Sequence, residues 1–68
     1  MTNDAKAEVL SKAKEYFAKT LFYFPIEKLV KSAYWVSSAK DYIGKVAFDK
    51  DVEITTEEVE EIFNMLVA

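Results

Sequence analysis

Sixty-eight residues suffice for one domain, and a chain of that length buries only roughly 60% of its unfolded surface, so a lone core is marginal. Cysteine and histidine are both absent, which excludes disulfide staples and the usual zinc, copper and c-type haem chemistry. The formal charge of −3 conceals an asymmetry: residues 49–61 carry seven acids against Lys50, a net of −6, whereas the first 48 residues carry eight lysines against five acids, a net of +3.

The first element reads as a helix over about 4–21. Asn3 or Asp4 can cap it, and Val9, Leu10, Ala13, Phe17 and Leu21 recur at helical spacing. Glu8 with Lys12 and Glu15 with Lys19 place acid before base at i,i+4 on the opposite face, the stabilising orientation. Pro25 disfavours helix in the residue before it, so Leu21-Phe22-Tyr23-Phe24 holds the helix end and a turn.

Pro25 suits the first position of a second helix, expected as one piece over about 26–43. Its stripe is Ile26, Leu29, Val30, Ala33, Val36, Ala39 and Ile43, with Gly44 at the expected left-handed C-cap. A capping box between Ser38 and Asp41 is the competing signal, and would divide this helix in two. Residues 46–54 follow with partial alternation (Val46, Phe48, Val52, Ile54), which suggests an extended connector.

The last helix, 56 to about 67, has the clearest start. Thr55 and Glu58 form a capping box, and Ile54 and Val59 occupy the hydrophobic-staple positions. Glu57 and Glu58 lie in the first turn, where the helix dipole favours negative charge. Val59, Ile62, Phe63 and Leu66 supply its apolar face. All of these stripe residues except Ala39 make up the expected core. The fold class expected is thus all-α: a small three-helix domain, residues 1–68, with an extended connector before the last helix.

No cofactor motif, catalytic constellation or metal-ligand spacing stands out, and a non-enzymatic protein is expected. With no apolar run near ~20 residues and no basic-then-apolar leader, a soluble cytoplasmic protein without a membrane role is the expectation. Direct nucleic-acid binding fits poorly with a pI near 4.8 and the absence of arginine, the residue of the commonest base contact.

The aromatic residues carry the leading functional expectation. Ten of 68 positions are Phe, Tyr or Trp, more ring surface than a small interior can hide. Tyr34 and Trp35 are adjacent and diverge by about 100° on a helix, while Phe22, Tyr23 and Phe24 surround a turn. These five make a candidate interface with another protein or with a second copy, as in a homodimer.

The acidic residues Asp49, Asp51, Glu53, Glu57, Glu60 and Glu61 form a second candidate surface, that of an acidic decoy or regulator docking its last helix on a basic, nucleic-acid-binding protein. A third expectation is a degenerate calcium segment. With Asp49, Asp51, Ile54, Thr55 and Glu58 at loop positions 3, 5, 8, 9 and 12, it looks like the exit half of an EF-hand. Ala47 and Val52 then stand where the first ligand and the turn glycine belong.

Overall fold

A computed structural model describes residues 1–68 as five helices and no strand: α1 Asn3–Tyr16, α2 Ala18–Tyr23, α3 Ile26–Leu29, α4 Ala33–Asp49 and α5 Thr56–Leu66. The all-α class holds. Three of the helices carry the bundle. Glu8 meets Lys50 at 3.2 Å and Tyr16 stacks on Tyr42, so α1 and α4 run antiparallel. Lys40 meets Glu60 at 2.8 Å, and Trp35 lies against Phe63, so α4 and α5 are antiparallel too. Up-down-up packing follows, with the short α2 and α3 making a corner at one end.

The boundaries differ from expectation, each with a local cause. Thr2, not Asn3 or Asp4, caps α1, its Oγ1 accepting the Ala5 N–H at 3.1 Å. The first helix breaks at Phe17 (φ −95°, ψ 13°) instead of running straight to residue 21, and Phe17 is buried in the core. The helix expected over 26–43 is interrupted at Val30-Lys31-Ser32. There Lys31 and Ser32 donate backbone N–H groups to Lys28 and Leu29 in tight i→i+3 bonds. Ser32 then restarts the chain as an N-cap, its Oγ accepting from the Trp35 N–H at 3.3 Å. The Ser38–Asp41 pair does not cap; both residues lie inside α4.

Gly44 is likewise interior to α4, which runs five residues further, to Asp49. The residues expected to be extended at 46–49 are its last turn, and Val46 and Ala47 are buried. The left-handed residue that ends α4 is Asp51 (φ 56°). Val52 N–H reaches the Ala47 carbonyl at 2.9 Å and Asp51 N–H the Phe48 carbonyl at 3.0 Å, the two bonds of a Schellman motif. Asp tolerates that backbone region better than most residues do, though less readily than glycine.

The core is small and wholly apolar. Val9, Ala13 and Phe17 of the first segment meet Ala39, Ile43, Val46 and Ala47 of α4 and Ile62, Phe63 and Leu66 of α5. Leu29 is buried at the corner. Leu10, Leu21, Val36 and Val59 are half-buried against this cluster, as are the connector residues Val52 and Ile54. Val30 and Ala33, expected inside, are exposed, because the turn at 30–32 takes them off the stripe they would share in a continuous helix. Ala39, Val46 and Ala47 fill the space instead.

Candidate interaction surface

The antiparallel arrangement sorts charge along the molecule, whose principal extents are 31 × 19 × 18 Å. One end gathers the start of α1, the end of α4 and the start of α5. It brings Asp4 and Glu8 together with Asp49, Asp51, Glu53, Glu57 and Glu58. The other end holds the C-terminal part of α1, the α2–α3 corner and the start of α4. Residues 12–31 there carry five lysines against Glu15 and Glu27, a net of +3.

The basic end also presents the rings. Phe22, Tyr23 and Phe24 are 82%, 73% and 55% exposed, and Tyr34 at the start of α4 is 77% exposed. Phe22 and Tyr23 lie edge to face, with ring centroids 5.1 Å apart. Their position follows from the sequence: the last turn of α2 must stop before Pro25, and Phe24 is extended (φ −118°, ψ 136°) as a residue before proline requires. Three consecutive rings around such a corner cannot all turn inward.

Trp35 is placed differently. It is half-buried against the core, edge-on to Phe17 and tilted against Phe63. Its Nε1 is buried and meets no acceptor. The structure therefore brings Phe22, Tyr23, Phe24 and Tyr34 to one end as exposed rings, and half-buries Trp35 against the core. Two further exposed rings fall outside the sequence-based set. Tyr16 stacks on Tyr42 with centroids 4.0 Å apart, and Phe48, near the end of α4, is 80% exposed. The alternation of Val46, Phe48, Val52 and Ile54 would set Phe48 on one strand face with its apolar neighbours, whereas in α4 it is turned to solvent.

The acids divide into paired and unpaired groups. Glu60 bonds Lys40 at 2.8 Å and Glu61 bonds Lys6 at 3.0 Å, so these two clamp α5 to α4 and α1. Asp49, Asp51, Glu53 and Glu57 have no lysine within 4.0 Å. Glu58 serves the helix start. Its carboxylate accepts the Thr55 N–H at 2.9 Å and meets the Met1 amine at 2.9 Å. The Thr55 N–H, then the Met1 amine, hold its pKa down at about 2 against the opposing effect of desolvation. No three carboxylates converge in a geometry able to hold a metal ion, because residues 47–49 are helical and Thr55 is committed to its cap. Residues 47–49, positions 1–3 of the EF-hand register, are helical.

Between Gly44 and Phe48 on α4 and the connector 51–55 runs an open groove of about 670 Å³, lined also by Asp51, Val52, Glu53 and Ile54. A smaller depression of about 380 Å³ lies beside Tyr16 and Tyr42. No helix is long and apolar enough to cross a membrane. No protein-family model, curated protein or solved structure matches the chain.

Proposed function

We propose that this chain is a small, cytoplasmic, non-catalytic protein-interaction module that pairs with a second copy of itself through the rings at its basic end. The observation that carries the reading is the run Phe22-Tyr23-Phe24, three consecutive aromatics with more than half of each residue in solvent. Covering one such ring is worth about 1.5–3 kcal/mol, so a partner surface that covers several gains substantially. A second copy is the fitting partner on charge grounds. The rings are set among lysines, and the opposite end of the same molecule carries Asp49, Asp51, Glu53 and Glu57 without internal ion partners.

Sedimentation velocity over a rising concentration series tests this. The expected result is a reversible monomer–dimer equilibrium that Phe22→Ser with Phe24→Ser abolishes while the helical spectrum is kept. A chain that stays monomeric at every concentration removes the homotypic reading.

Those same four unpaired carboxylates support a second reading, in which the acidic end docks on a basic, nucleic-acid-binding protein. Binding of that kind weakens steeply with salt and is indifferent to Phe22 and Phe24.

A further inference from the structure

Glycine inside a helix costs about 0.5–1 kcal/mol relative to alanine, and is normally explained by a positive φ or a close neighbour. Gly44 has neither. Its backbone is helical, and a Cβ built on it would meet nothing within 4 Å. The space it leaves is part of the groove wall, opposite the connector that Asp51 turns away from α4. Phe48, one turn on from Gly44, lines the same groove with its ring almost wholly in solvent, beside the half-buried Val52 and Ile54. Asp51 and Glu53 supply negative charge, and neither has an ion partner.

An open groove that sets Phe48, Val52 and Ile54 beside the unpaired carboxylates of Asp51 and Glu53 suits an aromatic group carried on a basic surface. The Phe22–Phe24 corner, with Lys19 before it and Lys28 and Lys31 outweighing Glu27 after it, has that chemistry. We infer that the groove at Gly44 and Phe48 is the acceptor for the Phe22–Phe24 corner of a second copy. The inference rests on the self-association proposed above and names its other half. Because corner and groove lie at opposite ends of the bundle, an antiparallel pair related by a two-fold axis makes both contacts at once and sets each acidic end against a basic one.

Gly44→Leu separates the groove from the fold, since the added side chain starts in open space and improves helix propensity. It is expected to melt no lower than the parent at a concentration where both are monomeric, and in sedimentation to dimerise at least about tenfold more weakly. Asp51→Asn with Glu53→Gln preserves the groove shape and removes its charge; dimerisation should weaken and lose most of its salt dependence. The decisive step mixes Gly44→Leu with the Phe22→Ser, Phe24→Ser chain. Each alone lacks both contacts, whereas the mixed pair retains one intact corner and one intact groove, so heterodimer should form on mixing. Failure of mixing to restore association, or a Gly44→Leu chain that dimerises like the parent while the Phe22/Phe24 variant does not, overturns the groove assignment and leaves the aromatic interface standing. A parent chain that is monomeric throughout overturns both.

Discussion

The Trp35 indole packs edge-on against the Phe17 ring, centroids 5.4 Å apart and planes at 70°, while its neighbour Tyr34 stands in solvent. Two adjacent aromatics on a helix cannot both face one small core, and here the larger ring is the one enclosed. Phe17 reaches it from the stripe it shares with Val9 and Ala13; Phe63 of α5 closes the other side.

Trp35→Ala should therefore act on stability before it acts on any partner. Removing the ring from between Phe17 and Phe63 is expected to cost about 3 kcal/mol, the lower end of the range for buried aromatics because the indole is half-buried. Trp35→Phe should cost less than half as much, since it also removes a buried N–H that has no acceptor. Chemical denaturation of the three chains checks the order.

Phe22→Ser, Phe24→Ser and Tyr34→Ser are the opposite case. Each ring is mostly in solvent, so each change should alter the stability of the monomer by no more than about 0.5 kcal/mol. Melts at low protein concentration provide the measurement. A large loss for any of them would mean that the ring packs within its own chain.

Asp51 holds a left-handed backbone at the end of α4, and its N–H and that of Val52 close the Schellman bonds. Asp51→Gly should stabilise by up to about 1 kcal/mol, whereas Asp51→Val should destabilise by about 1–2 kcal/mol. The pair of opposite shifts in melting temperature is the check.

Thr55 caps α5 through its Oγ, which accepts the Glu58 N–H at 3.2 Å. Thr55→Ala is expected to lose about 1 kcal/mol, which for a domain of this size lowers the melting temperature by roughly 4–8 °C. Thr55→Ser should retain most of the stability, because the accepting oxygen remains.

Glu58 links that cap to pH. Its pKa is lowered from 4.5 in the unfolded chain to about 2 in the fold, so its contribution is complete above about pH 4.5 and is lost as pH falls toward 2. Glu58→Gln should accordingly be less stable than the parent at neutral pH, with the difference shrinking as the solution approaches pH 2. Acid titrations of both chains, followed by circular dichroism, measure this directly.

Local signals in the sequence were sufficient wherever they were unopposed. The Thr55–Glu58 box, the Ile54–Val59 staple and the stripe at Val59, Ile62, Phe63 and Leu66 act within a few residues of one another, and α5 begins and packs as they require. The all-α class, the corner before Pro25 and the opposed charges of residues 12–31 and 49–61 are likewise written in one dimension. Tertiary structure decided the matters on which local signals conflicted. Gly44 resembled a helix end and Val46 to Ile54 a strand, but Val46 and Ala47 bury more apolar surface by extending α4 against α1 and α5, so the stop moved to Asp51. Val30 fitted a helical stripe, yet Ser32 provided a better start for α4 and put Trp35 rather than Tyr34 against Phe17. Which rings and which acids remain free follows from those choices. Burial in a core this small is settled by how three helices fit together, and a spacing pattern read along the chain does not contain that fit.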